Sequence, residues 1–102
     1  MADLDNVTVI STRSGSVIQK IYVPGAEGLN DVSIDKKGII YVTDSRAKRV
    51  YRIENNTPSL YLDNLKGPNG ILAHNNDLYV LDNGGLYKVA DDKSLTKIAD
   101  GM

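Results

Sequence analysis

The 102-residue chain has no cysteine, no tryptophan and no phenylalanine, and it has one histidine. Without cysteine there are no disulfides, no thiol nucleophile and no thiolate-bound zinc. One histidine excludes the histidine pair on which many metal sites are built. Neither sign of charge dominates. Twelve basic residues stand against 13 acidic ones, for a formal net charge of −1, so the basic excess of a nucleic-acid binder is missing. No apolar run approaches the roughly 20 residues a membrane-spanning helix needs. Met1-Ala2-Asp3-Leu4-Asp5 lacks the basic and apolar regions of a signal peptide. No stretch sustains the 3.6-residue period of an amphipathic helix. Gly-x-Ser-x-Gly elbows and phosphate-cradling loops are also absent. Gly67-Pro68-Asn69-Gly70 is a turn rather than a dinucleotide fingerprint.

What is present is strand after strand. The apolar fraction of 41% is ordinary for a folded domain, and a chain of this length makes one domain at most. Short β-branched or alternating runs occupy residues 7–10, 17–23, 31–34, 39–43, 50–53, 60–62, 70–73, 78–81, 86–89 and 95–98. Turn chemistry separates them: the polar stretch 11–16, Pro24-Gly25, Lys36-Lys37-Gly38, Asn55-Asn56, Asn75-Asn76-Asp77 and Asn83-Gly84-Gly85. Glycine and asparagine tolerate positive φ, and proline ends a ladder because it has no N–H to donate. The pattern predicts an all-β chain.

The strands repeat as a set. Gly28-Leu29-Asn30-Asp31-Val32 aligns with Gly67-Pro68-Asn69-Gly70-Ile71, and Tyr41-Val42-Thr43-Asp44 with Tyr79-Val80-Leu81-Asp82. Val50-Tyr51-Arg52-Ile53 aligns with Leu86-Tyr87-Lys88-Val89, giving a period just under 40 residues, in the range of propeller blades and other arrays. The register predicts a β-propeller arc of about two and a half four-stranded antiparallel blades. Residues 1–27 supply a half blade (third and fourth strands), 28–66 a full blade and 67–102 a second, all within one propeller domain.

Burial patterning agrees. Ile39-Ile40-Tyr41-Val42 and Leu78-Tyr79-Val80-Leu81 are apolar on both faces, which requires cover on both sides, as between neighbouring blades. An arc leaves one terminal face bare. A four-stranded face of roughly 350 Å² left in water forfeits on the order of 8 kcal/mol, comparable with a domain's whole stability. The sequence therefore predicts self-association through exposed blade faces and edge strands, or further chain that covers them. Simple head-to-tail closure is awkward, because the leading half blade lacks two inner strands.

At Gly28-Leu29-Asn30-Asp31, Tyr41-Val42-Thr43-Asp44 and Gly67-Pro68-Asn69-Gly70-Ile71-Leu72 the chain resembles the six-bladed propellers of the senescence marker protein, gluconolactonase and luciferin-regenerating enzyme group, with NHL-repeat propellers as relatives. The resemblance covers nearly the whole chain as a repeat pattern, on short motifs. It implies a divalent cation, calcium first, at the rim of the central channel, and hydrolysis of sugar lactones or similar esters. The metal ligand of the family's Pro-Asn-Gly motif falls on Asn69. The Asn-Asp motif of the preceding blade falls on Asn30, a substrate or metal contact, with Asp31 beside it as a further substrate-binding candidate. The family also uses a first-blade carboxylate and a later aspartate, and this sequence matches neither. The chain alone is therefore expected to hold no cofactor and to lack catalytic residues. The alternative is a non-catalytic NHL-type propeller scaffold for ligand or protein binding, or a propeller piece whose business is folding and assembly itself.

The residues themselves leave structural readings open. Asn30 and Asn69 suit a cation, which favours oxygen ligands, and equally suit hydrogen bonds at a strand entrance. Asp31 fits a turn cap as well as a ligand contact, and Asp44 and Asp82, repeated at equivalent strand ends, read as turn bonds. His74 reads as a solvated turn histidine, and Arg46, Lys48 and Arg49 as a solvated basic loop. Tyr41, Tyr51, Tyr79 and Tyr87 recur at equivalent blade positions and read as packing.

Overall fold

The computed structural model describes residues 6–10, 17–75 and 77–99, and within the first two strands only the side chains of Val7, Ile21 and Tyr22. The polar stretch 11–16, Asn76 and Gly101-Met102 lie outside the described residues. Ten strands follow in order: β1 (Asn6–Ile10), β2 (Val17–Tyr22), β3 (Leu29–Ile34), β4 (Ile40–Asp44), β5 (Arg49–Glu54), β6 (Thr57–Leu62), β7 (Pro68–His74), β8 (Asp77–Asp82), β9 (Gly85–Val89) and β10 (Leu95–Ala99). The described residues contain no helix. Three antiparallel sheets result: β1-β2, β3-β4-β5-β6 and β7-β8-β9-β10.

Tight turns enforce this up-and-down order. Glu54 pairs with Thr57 around Asn55-Asn56, and Asp82 with Gly85 around Asn83-Gly84. Both central residues of each turn have positive φ, 52° and 63° in the first and 52° and 82° in the second. This is the I′ signature, whose twist matches the flanking strands. Between β3 and β4 the Asp35 carboxylate accepts from Lys37 N and Ile39 N, both at 2.9 Å, and Gly38 takes φ 85°.

Several boundaries differ from the sequence reading, β3 and β7 among them, which begin two residues earlier at Leu29 and Pro68; two others change how a residue is read. β6 begins at Thr57 rather than near residue 60, with Pro58 opposite Ile53. Proline is tolerated there because β6 is an edge strand with one side free of the ladder. β5 begins at Arg49, so that residue belongs to a strand and not to the preceding loop.

Strand alternation sends the middle sheet's side chains to two different cores. From β4, Ile39 (just before the strand) and Tyr41 join Val50, Leu62 and Leu65 against Ile71, Leu78, Val80 and Val89 of the last sheet. Val42, with Tyr51 and Ile53 from β5, turns the other way onto Val7, Ile21 and Val23. The middle sheet is therefore sandwiched, as the doubly apolar β4 demands. Among the described residues the last sheet is covered on one face only. Tyr79 and Leu81, between the buried Leu78, Val80 and Asp82, remain partly exposed, and Leu72 is 55% exposed.

Candidate functional site at the first-strand entrances

The first strand of each full sheet begins in the same way. A glycine precedes or opens it, an asparagine follows two residues later, and the ladder is irregular at that point. Between Leu29↔Asp44 and Val32↔Val42 the β3–β4 register shifts across Asn30 and Asp31. Between Pro68↔Asp82 and Gly70↔Leu81 the β7–β8 register skips Asn69. Such bulges release a side chain from the regular pleat and re-aim it, which is why they gather near functional sites. Asn30 and Asn69 are both exposed. Strands β3 and β7 pack directly against each other, so the two amides occupy equivalent places on adjacent blades.

Buried carboxylates hold these entrances. Asp44, fully buried at the end of β4, accepts from Glu27 N at 2.8 Å, Gly28 N at 3.0 Å and Ala47 N at 2.9 Å. Asp82, its counterpart on β8, accepts from Lys66 N at 3.0 Å and Gly67 N at 2.6 Å. In both blades the carbonyl of that glycine takes a backbone bond from the residue after the aspartate, Ser45 N or Asn83 N, at 3.1 Å. Each aspartate thus ties down the backbone just before its asparagine. That is the structural role the repeat suggested, and it leaves these carboxylates committed to N–H donors.

Asp31 is differently employed. Its Oδ2 accepts from Ile71 N of the next blade at 2.9 Å, and Ser33 Oγ accepts from Ala73 N at 2.9 Å. Its own N–H donates to Thr43 Oγ1 at 3.0 Å. Two side chains of β3 therefore stitch onto backbone N–H groups of β7. These stitches escaped the sequence because their partners lie 40 residues away and because the next blade has Gly70 and Leu72 where Asp31 and Ser33 stand. No repeat marks them.

The remaining candidates are distributed away from the asparagines. His74 is exposed and lies 3.0 Å from the Asn75 side-chain amide. The Arg46 stem packs over Gly28, where a Cβ would lie only 3.0 Å from Cγ. Arg49 donates from a guanidinium nitrogen to Tyr51 Oη at 3.2 Å. Its Nε lies 3.4 Å from Asp63 Oδ1, within ion-pair reach but outside hydrogen-bond geometry. At the opposite end of the strands a cleft of about 450 Å³ opens between the two full sheets, with Tyr41, Arg52 and Tyr61 on its wall. The two phenols meet edge to face at 5.4 Å. Burial, and then Tyr41, push the Tyr61 phenol above its ordinary value, while Lys93 stands over its ring at 5.2 Å.

The donor set does not make a complete cation site. Calcium takes six to eight oxygens and magnesium six, whereas the entrances offer two neutral amides. Among the described residues no group of three or more acidic, histidine or cysteine side chains is placed to hold a metal. The two amides supply two of the six or more oxygens such a cation takes.

The fold is that of a β-propeller arc: four-stranded antiparallel blades stacked face to face, with the first strands innermost. No family model matches the chain, and no curated protein matches it in sequence. Among solved structures it is similar to virginiamycin B lyase from Staphylococcus aureus, with a TM-score of 0.73 at 13% identity over 92% of this chain. The match takes in 34% of that chain, so this chain spans about a third of its length. At that identity the likeness establishes the propeller fold and nothing finer.

Proposed function

We propose that this chain is a wall segment of a β-propeller whose paired asparagines line an axial site for a small, oxygen-rich ligand, in a parent that hydrolyses sugar lactones or similar esters with a divalent cation. One observation carries the reading: Asn30 and Asn69 are both exposed, both released by a register shift, and both placed at equivalent entrances of adjacent inner strands. Each side-chain amide accepts from a ligand hydroxyl through its oxygen and donates to a lactone or ester carbonyl through its nitrogen. Asp44 and Asp82 keep the two entrances in place. The reaction itself comes from the family resemblance. The activity in the neighbour's name, a lyase of virginiamycin B, belongs to that protein.

Alone, the chain is inactive in this reading, because a cation site of two neutral amides is incomplete. The competing reading is a non-catalytic scaffold, favoured by Asp31, Asp44 and Asp82 all spending carboxylate oxygens on backbone N–H groups. Titration with a sugar lactone, followed by NMR at the asparagine side-chain amides, separates the two. Shifts at Asn30 and Asn69 that saturate at millimolar ligand and vanish in Asn69→Ala support the ligand site; the absence of such shifts supports the scaffold. Calorimetry with calcium is expected to give no micromolar binding. Micromolar affinity abolished by Asn69→Ala would overturn the incompleteness of the site.

A further inference from the structure

We propose that the cleft between the two full sheets binds a small carboxylate with an aromatic or other apolar body, held at its charged end by Arg52. Both walls of this cleft of about 450 Å³ belong to the chain itself. Further blades stack on sheet faces, so a longer propeller leaves the cleft as it is. It lies at the other end of the strands from Asn30 and Asn69, and the inference does not rest on their role. Its size falls in the range, roughly 300–1,000 Å³, of sites that take small molecules. Ile39, Leu78 and Val89, side chains of the core between the sheets, give it an apolar lining.

Strand pairing builds the polar wall. Tyr41 and Arg52 stand directly opposite each other on β4 and β5 and line the cleft together. Tyr61 reaches the same wall through an irregularity. Val50 pairs with Leu62 and Tyr51 with Leu60, which leaves Tyr61 out of the ladder. A bulge of this kind re-aims a side chain, and here the Tyr61 ring meets Tyr41 edge to face at 5.4 Å. The two rings suit an aromatic partner laid beside them. The Arg52 side chain is 31% exposed and reaches Glu54 Oε1 through Nη1 at 3.0 Å. Its remaining N–H groups form the planar fork that a carboxylate engages with both oxygens. Charge favours a single negative group. Asp35 and Asp77 match Lys36 and Lys37 in the lining, Asp35 Oδ1 is committed to turn N–H groups, and Asp77 is held by Lys88 at 3.5 Å. Asp91 opposes an anion, and Lys93, 5.2 Å from the centre of the Tyr61 ring, offsets it. A doubly charged phosphate would meet these acids with one arginine to hold it, whereas a neutral ligand gains nothing from the Arg52 charge.

Titration of the full chain with phenylacetate, followed by NMR, tests this, with phenylacetamide as the neutral counterpart of the same shape. Backbone amide shifts are expected at Tyr41, Arg52, Tyr61 and Leu78 and not at Asn30 or Asn69. They should saturate with a dissociation constant in the millimolar range, as for a ligand of so few atoms. Phenylacetamide is expected to bind about tenfold more weakly or worse, because it cannot make the charge-assisted pair. Arg52→Gln should weaken phenylacetate binding by about the same factor and leave phenylacetamide unaffected. Asp91→Asn, which removes the opposing charge, is expected to tighten phenylacetate binding about two- to five-fold. Equal affinity for acid and amide, shifts centred away from the cleft, unchanged phenylacetate affinity in Arg52→Gln, or no shift at about 50 mM phenylacetate would each overturn the proposal. The comparison of acid with amide uses the unaltered chain, so it decides the matter where Arg52→Gln does not fold.

Discussion

Two carboxylates carry much of the local order, and neither is at the surface. Asp44 satisfies three backbone N–H groups from one buried position, so Asp44→Ala orphans donors that water reaches poorly. A buried unsatisfied group costs roughly 1–3 kcal/mol. With the Glu27 and Ala47 donors only part-buried and the Gly28 donor buried, the expected loss is about 3 kcal/mol, read from urea denaturation. Asp44→Asn retains one oxygen and loses charge assistance, for about half that. A loss under about 0.5 kcal/mol for Asp44→Ala would mean the entrance is held by something else. Tyr61 offers a second handle. Its folded phenol holds the proton more tightly than an unfolded tyrosine, which titrates near 10. Between those two values the unfolded state binds fewer protons, so stability falls as pH rises. Denaturation between pH 8 and 11 is expected to show a shallower alkaline decline in Tyr61→Phe than in the parent chain.

The stitches from β3 to β7 decide how tightly two blades move together. Asp31→Ala with Ser33→Ala removes both acceptors while leaving the apolar contact of Tyr41, Val50 and Leu62 with Ile71 and Val80 in place. Each bond is part-buried and contributes about 1 kcal/mol. The double variant is therefore expected to lose about 2 kcal/mol, with hydrogen exchange accelerating at the Ile71 and Ala73 amides more than at β4. Equal acceleration throughout would mean the stitches add only to global stability. These bonds also mark where the sequence stops being informative. Turns such as Asn55-Asn56 and Asn83-Gly84 were legible because positive φ restricts residue choice. The Asp44 and Asp82 caps were legible because the repeat writes them twice. Asp31 and Ser33 were not, since each bonds a distant backbone N–H that any residue presents. β6 was read too short, from residue 60, and the place of Pro58 within it depends on an edge position that only the assembled sheet defines. At the candidate site, the residue types at Asn30 and Asn69 were legible. Their release by register shifts was not, because a bulge depends on how two strands pair.

At the scale of the whole chain the three sheets form an arc with unequal ends. The middle sheet is covered on both faces and provides the most deeply buried side chains, among them Val42, Val50 and Ile53. Among the described residues the last sheet keeps one apolar face toward water, and Ile34, at the end of β3, is 60% exposed on the innermost strand of the middle sheet. Stability should consequently depend on what covers the last face. Where self-association through that face is what covers it, a dimer unfolding to two monomers gains about 1.4 kcal/mol for each tenfold rise in protein concentration. With an unfolding entropy near 2.1 cal/mol/K per residue, that raises Tm by roughly 3 °C for a dimer of this size. Scanning calorimetry at two concentrations a decade apart is expected to show that rise in the parent chain and to lose it in Leu72→Lys. A midpoint independent of concentration in both would place the last sheet's stability within the single chain. The apolar face would then be tolerated at the expense of net stability, because burial within the middle sheet's two cores outweighs it.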